Sequence, residues 1–179
     1  LRSRPQQPCF LSVGLGETHR EKKQDCKPFH YDYDDDPETA DGRYCRPPEW
    51  IPDTPVTRKD FANFKRGAAK MDRKMGMVLE ALEANGYADN TLVLITTDHG
   101  LPLPHAKCNV NDMGLGVMFM LRGPASTGFT GGKVVDAMVS QLDVYPTFCE
   151  LLGLTPEHEL HGKSLLPLVR GETAALHDE

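Results

Sequence analysis

The sequence lacks any long hydrophobic run. No apolar stretch in its 179 residues approaches the roughly 20 residues needed for a membrane-crossing helix, so no membrane span is expected. It also lacks a Lys/Arg run. With Lys+Arg 20 against Asp+Glu 26, the formal net charge is −6, which argues against a nucleic-acid partner. Cysteine is scarce: Cys9, Cys26, Cys45, Cys108 and Cys149 are odd in number and widely spaced, and no Cys-x-x-Cys occurs. That excludes a disulfide-framework miniprotein. Cys26 and His30 form one Cys-x₃-His pair, but no second pair has zinc-ligand spacing. Buried thiols are the better reading, with Cys26 to Cys45 as one available bridge. An initiating Met is absent as well. Leu1-Arg2-Ser3-Arg4-Pro5 reads neither as a signal peptide nor as a natural start, so the chain is expected to be a piece of something longer.

What is present is ordinary globular composition, 39% hydrophobic and 26% charged, enough for one domain with a core. Cys9-Phe-Leu-Ser-Val13 is a short apolar run ending at Gly14 and Gly16, which predicts a buried strand. A polar insert covers residues 21–56 and ends in Pro47, Pro48, Pro52 and Pro55, an irregular, extended stretch. A long amphipathic helix is predicted over 57–86. Phe61, Phe64, Ala68, Met71, Met75, Val78 and Leu82 recur at spacings of three and four, Thr57 to Asp60 suits a capping box, and Gly86 suits a C-terminal cap. The same stripe suits a coiled coil, but flanking Glu/Lys pairing is poor and a strand follows, so a helix covering a sheet is preferred.

The run Thr91-Leu-Val-Leu-Ile-Thr-Thr97 has no alternation, the mark of a strand buried on both faces in a parallel sheet. Gly116 to Leu121 reads as another strand, and Val134 to Val139 as a third weakened by Asp136. A short helix starts at Asp143-Val-Tyr-Pro146 and stops at Gly153. This order predicts an α/β fold, a mostly parallel sheet flanked by helices.

In open α/β sheets, ligands bind beyond the carboxyl ends of strands. The central strand ends in Thr97-Asp98-His99-Gly100, a carboxylate beside an imidazole, which suits a divalent cation if other ligands join them. By spacing alone, a turn-capping Asp98 and an ordinary loop His99 are the better reading, since Asp-His-Gly is frequent in turns. His19 follows the first strand, and Lys107 lies in the Pro-rich loop Leu101 to Asn109; singly, each reads as a loop residue. Asp32-x-Asp34-x-Asp36 begins like an EF-hand loop, but Pro37 stands where Gly is required and Arg43 where the bidentate Glu belongs. His161-Gly-Lys-Ser164 lacks the upstream Gly of a phosphate-binding loop.

In order, these segments resemble the sulfatase family. Phe10-Leu-Ser-Val-Gly14 with Thr18-His19-Arg20 resembles the family's strand leading to an active-site His. Met71-Asp72 through Gly86, then Asn90 to Gly100, is similar to its long helix and metal-ligand strand. Gln141 to Gly153 and His161 to Pro167 resemble the stretch that follows. The likeness covers most of residues 8–170. Three features draw it towards the branch acting on N-sulfated sugars: His19-Arg20, Ile51-Pro-Asp-Thr-Pro55, and Asp98-His-Gly-Leu-Pro-Leu-Pro104 followed by a cation and Asn109.

The resemblance implies an alkaline-phosphatase-like α/β fold, incomplete, with residues 1–179 as the C-terminal portion of a catalytic domain. It implies calcium as cofactor, with Asp98 as a ligand and His99 as its neighbour. It implies that His19 meets the sulfate and the leaving atom, and that Lys107 meets sulfate oxygens. A sulfated carbohydrate is the implied partner, O-sulfated or N-sulfated, and a secreted, periplasmic or lysosomal location follows from the family. The family's nucleophile is formylglycine, made from Cys or Ser in Cys/Ser-x-Pro-x-Arg. No such motif occurs here: Cys26-Lys-Pro-Phe-His30 has His in place of Arg. The chain alone is therefore expected to be inactive. Competing expectations are a phosphoester hydrolase of the same superfamily and a non-catalytic α/β module that binds a sulfated glycan or a protein.

Overall fold

The computed structural model describes residues 8–21, 30–31, 41–129 and 131–178. The Cys26 pairings and the acidic cluster Asp32 to Asp36 lie outside those residues. The chain divides into two compact units: Leu1–Gly86 with Thr97–Met118, and Tyr87–Thr96 with Phe119–Glu179. Among the described residues, no helix is long and apolar enough to cross a membrane.

The first unit is organised on α1, Pro55–Ala84. Its start is set by two threonines and a proline. Thr57 N donates to Thr54 Oγ1 at 3.2 Å, and Thr54 N donates to Thr57 Oγ1 at 2.9 Å. This reciprocal pair satisfies two backbone donors, and Pro55 follows where its missing N–H costs nothing. The cap therefore sits at Thr54, and Thr57 is its partner rather than the cap itself. At the far end Asn85 donates to Ala81 O from its backbone and its side chain. Gly86 then takes φ +71°, a left-handed value that suits glycine and ends the helix.

One face of α1 is tucked in: Ala62, Asn63 and Gly67 are buried, and Phe61 and Phe64 stack with ring centroids 5.9 Å apart. The stripe continues through Met71, Met75, Val78 and Leu82, all half-buried. The first turn of the helix packs on a 3-10 turn, Gly42–Tyr44, so closely that a Cβ at Gly42 would stand 3.0 Å from Lys59 N. Two short strands, β1 (Arg20–Glu21) and β2 (His30–Tyr31), pair antiparallel in the register Arg20↔Tyr31.

The predicted strand at Cys9 to Val13 does not form. Phe10 is 85% exposed, and Leu11 and Val13 are also exposed. An apolar run becomes a buried strand only when a neighbour supplies hydrogen-bond partners and a face to cover it, and among the described residues none pairs with this one.

In the second unit, β3 (Val93–Thr96) and β4 (Phe119–Arg122) pair antiparallel, Val93↔Arg122 through Thr96↔Phe119. The α/β class stands, but both ladders among the described residues are antiparallel where a mostly parallel sheet was expected. β3 is half-buried rather than covered on both faces. A parallel return needs a crossover of a dozen or more residues, usually helical. Here the chain between the strands is a folded loop whose one helix, α2, covers only Asp112–Leu115. Val134 to Val139 is not a strand either, and Val134 is 85% exposed.

Two helices complete this unit: α3, Val144–Leu152, stopped by Gly153 at φ +65°, and α4, Leu166–Arg170, stopped by Gly171 at φ +76°. Their junction is a polar knot. Thr147 Oγ1 donates to Asp143 O at 2.6 Å and accepts from Leu165 N at 2.8 Å. The Asp143 carboxylate, fully buried, accepts from Ser140 N at 2.7 Å, Lys163 N at 2.8 Å and His177 Nε2 at 2.9 Å. Leu165, Leu166 and Leu168 supply the apolar packing around it.

Burial opposes ionisation of Asp143, but the hydrogen bonds from Lys163, Ser140 and His177 outweigh it and hold its pKa below the ordinary 3.8. A depressed carboxylate stabilises the fold fully above its unfolded pKa, and that stability is lost as pH falls through the folded value. Asp143→Ala should therefore cost roughly 3–5 kcal/mol at pH 7. In denaturant titrations at a series of pH values, the gap between wild type and variant should narrow below about pH 4. A constant gap would contradict this.

Candidate functional site

Three of the four candidate site residues lie on one loop, residues 97–118, within the first unit. The loop is knitted by its own backbone. Gly100 N donates to Gly114 O at 2.9 Å, Leu101 N to Met113 O at 3.0 Å, and Lys107 N to Leu101 O at 3.1 Å. Asn111 is used twice: its Nδ2 donates to His105 O, and its Oδ1 accepts from Gly114 N, both at 2.9 Å. Met118 N closes the loop on Thr97 Oγ1 at 3.2 Å. Leu103 and Ala106 are buried beneath it, and Trp50 Nε1 donates to Pro104 O at 3.1 Å, tying the loop to the segment before α1.

Two glycines make this closure possible. A Cβ on Gly100 would stand 2.0 Å from Met113 O, and one on Gly114 would stand 2.1 Å from Asn109 O. His105 and Cys108, on either side of Lys107, adopt φ of 64° and 67°. Such left-handed non-glycine residues cost about 1–3 kcal/mol each and persist only where their surroundings fix them.

Asp98 and His99 leave β3 through Thr97. The Asp98 side chain is 88% exposed, and its Oδ1 lies 3.6 Å from His99 Nε2. His99 Nδ1 lies 2.9 Å from Gly100 O. A carbonyl only accepts, so Nδ1 is the donor in this contact and Nε2 is the ring nitrogen turned towards the carboxylate. Two donors 3.6 Å apart are adjacent corners around a cation with ligand bonds of about 2.3–2.6 Å. The pair is thus spaced as two ligands of a divalent cation would be, a hard oxygen beside a borderline nitrogen. The set stops there, because no group of three or more His, Cys, Asp or Glu able to hold a metal occurs among the described residues.

Lys107 is half-buried, and its ammonium has no hydrogen-bond or ion-pair partner among the described residues. His19 stands apart from the loop. It closes a turn, His19 N donating to Gly16 O at 2.9 Å. Its exposed ring likewise has no partner among the described residues. The fold therefore brings Asp98 and His99 together and puts Lys107 on the same knitted loop. No hydrogen bond or ion pair among the described residues joins His19 to them.

Sequence reasoning missed the groups around His19. Glu17 is buried and pairs with Lys74, and Arg20 pairs with Asp60. Asp60 lies four positions before Phe64, and Lys74 lies between Met71 and Val78 at spacings of three and four, so both border the apolar stripe of α1 but carry no local signal of such pairing. Pro104 as an acceptor for Trp50 was equally invisible.

Fold and loop place the chain among α/β proteins that carry polar groups just beyond a sheet strand. Its relatives define it further: the sulfatase family model matches residues 1–154, and the chain belongs to the sulfatase family. It is 31% identical over 134 residues to human N-sulphoglucosamine sulphohydrolase, covering 70% of this chain and 26% of that protein. To an ulvan-active sulfatase of Formosa agariphila it is 29% identical over 119 residues, covering 66% and 20%. Among solved structures, a phosphonate monoester hydrolase from Silicibacter pomeroyi superposes with a TM-score of 0.60 at 30% identity, covering 69% of this chain and 25% of that one. The chain thus spans about a fifth to a quarter of the length of these relatives.

The glycine closures give a direct test of the loop. Gly100→Ala should destabilise the protein by roughly 1–3 kcal/mol through overpacking, measured as a lowered denaturant midpoint. Ala at Gly131, where nothing lies within 4 Å, should be neutral. Equal midpoints for the two variants would refute the close approach.

Proposed function

We propose that these residues form part of the active site of a sulfatase that hydrolyses sulfated sugars, O-sulfated or N-sulfated. The observation that carries this reading is the presence on one hydrogen-bonded loop of the Asp98–His99 pair, 3.6 Å apart, and of Lys107, whose ammonium has no anionic partner among the described residues. Membership of the sulfatase family, and similarity to relatives named as sulfatases, support the same reading.

The chemistry follows from the groups present. Sulfate spreads negative charge over several oxygens, and a fixed cation stabilises both its binding and the charge that moves during displacement at sulfur. Lys107 supplies that cation from a backbone that cannot drift. Asp98 and His99 would hold a divalent cation, calcium in this proposal, whose bound form polarises the sulfate oxygens. As the bond from sulfur to the sugar oxygen or nitrogen breaks, its electron pair stays on the leaving atom. A poor leaving group then needs a proton, and His19 donates it in this scheme. The nucleophile belongs to the whole protein, since no Cys/Ser-x-Pro-x-Arg occurs in these 179 residues.

In the whole protein, Asp98→Asn should lower kcat/KM by a hundredfold or more with little change in Tm. Lys107→Met should lower it by roughly 10²–10³, as loss of one preorganised charge donor does. Wild-type turnover in the Asp98 variant would remove the metal assignment. The 179-residue chain alone should not turn over sulfate esters, and metal-dependent hydrolysis by it would contradict that.

The similarity to a phosphonate monoester hydrolase favours a second reading, a phosphoester or phosphonate hydrolase. Matched aryl sulfate and aryl phosphonate substrates decide between them: the larger kcat/KM on sulfate is the expected result, and the reverse order establishes the second reading. Specific binding of a sulfated glycan without turnover by the whole protein would instead support a non-catalytic module.

A further inference from the structure

The turn that carries His19 is anchored on both sides to a single rigid body, α1. Gly16 to His19 form one turn, closed by His19 N donating to Gly16 O at 2.9 Å. One residue after Gly16, Glu17 forms an ion pair with Lys74; one residue after His19, Arg20 forms one with Asp60. Asp60 and Lys74 are 14 positions apart on α1 (74 − 60), about 21 Å along a helix rising roughly 1.5 Å per residue. Two anchors so far apart hold a short turn against rotation as well as translation, which either pair alone would allow.

Each ion pair joins a more buried side chain on the turn to a more exposed one on α1, Lys74 at 47% and Asp60 at 34% exposed. The Glu17 side chain is 8% exposed and that of Arg20 is 19% exposed. Exposed pairs contribute little, whereas removing the partner of a buried charge leaves it uncompensated. Glu17 Oε2 is buried and makes no hydrogen bond among the described residues, so the carboxylate depends on Lys74. The backbone after the turn is fixed as well, because Arg20 pairs with Tyr31 in the β1–β2 ladder.

We propose that Glu17 and Arg20 are positioning residues for His19, acting through Lys74 and Asp60, and that α1 thereby sets where the proton is delivered to the leaving group. This inference rests on the reading of His19 as proton donor. It adds that rate depends on charges remote from substrate. General acid catalysis contributes typically 10²–10⁴-fold and requires the donor within hydrogen-bond reach of the leaving atom. A displaced His19 forfeits part of that factor while substrate binding is kept.

The test uses the whole protein and two substrates, one whose leaving group is a poorly activated sugar alcohol or amine and one that is an activated nitrophenyl sulfate. The second needs little protonation of its leaving group. Lys74→Met and Asp60→Asn should each lower kcat on the sugar substrate tenfold to a hundredfold, with KM within about twofold. Either change should lower kcat on the nitrophenyl ester less than threefold, and Lys74→Arg should restore the sugar activity. Equal losses on both substrates would mark a structural role and overturn the proposal, as would no loss on either. His19→Gln is the control. If it shows no dependence on the leaving group, the reading of His19 as proton donor fails, whatever the α1 variants do. If it shows that dependence and the α1 variants do not, only the positioning inference fails.

Discussion

The close approach of two backbone segments, Gly100–Leu101 in the loop and Met113–Gly114 in α2, is the constraint on which the candidate site depends. Gly100 N and Leu101 N donate to Gly114 O and Met113 O, and neither Gly100 nor Gly114 has room for a side chain. That closure turns a Pro-rich stretch into a body with its own buried residues, Leu103 and Ala106. It fixes Lys107 by its backbone and leaves the ammonium as the mobile end. A cation on a floppy loop would collapse onto the nearest carboxylate. Here many of the loop's backbone donors and acceptors are spent on each other, and the Lys107 ammonium has no ionic partner among the described residues.

A similar economy governs the polar knot in the other unit. Asp143 takes three donors from three separate stretches, Ser140, Lys163 and His177, and Thr147 joins two more backbone groups. Buried polar groups of this kind specify one arrangement because each alternative leaves a donor or acceptor unmet. The two units thus reach order by different routes: backbone closure around glycines in one, a shared carboxylate in the other.

Long-period patterns were legible in the sequence. The stripe Phe61 to Leu82 lies on α1, and Gly86 and Gly153 adopt the left-handed conformations that their positions suggested. Local signals were read nearly as well: the cap of α1 moved by three residues because Thr57 can serve as cap or as capping partner, and only the flanking Pro55 distinguishes the two. The candidate pair Asp98–His99 needed nothing beyond adjacency. Pairing direction was not legible, because a run of apolar β-branched residues records burial and carries no information on which way the next strand runs. The anchors of His19 were hidden for another reason. Glu17 and Lys74 are 57 positions apart, and a charge at the border of a helix's apolar stripe looks the same in sequence whether it meets water or a buried carboxylate.

The failed strands at Cys9 to Val13 and Val134 to Val139 follow from the same physics. Phe10 and Val134 are each 85% exposed, yet their pattern is that of buried strands. Burial is a property of a side chain together with its neighbours, whereas hydrophobicity belongs to the side chain alone. An apolar run therefore reports the surroundings for which it is suited, and the described residues here do not provide them. The loop behaves in the opposite way. Most of its hydrogen bonds and close approaches fall within some twenty consecutive residues, with Trp50 as a distant donor to Pro104 O. The candidate chemistry of this chain consequently resides in the part whose geometry is most locally determined. His19 is the exception, because the residues that flank it, Glu17 and Arg20, pair with charges on α1 far along the sequence.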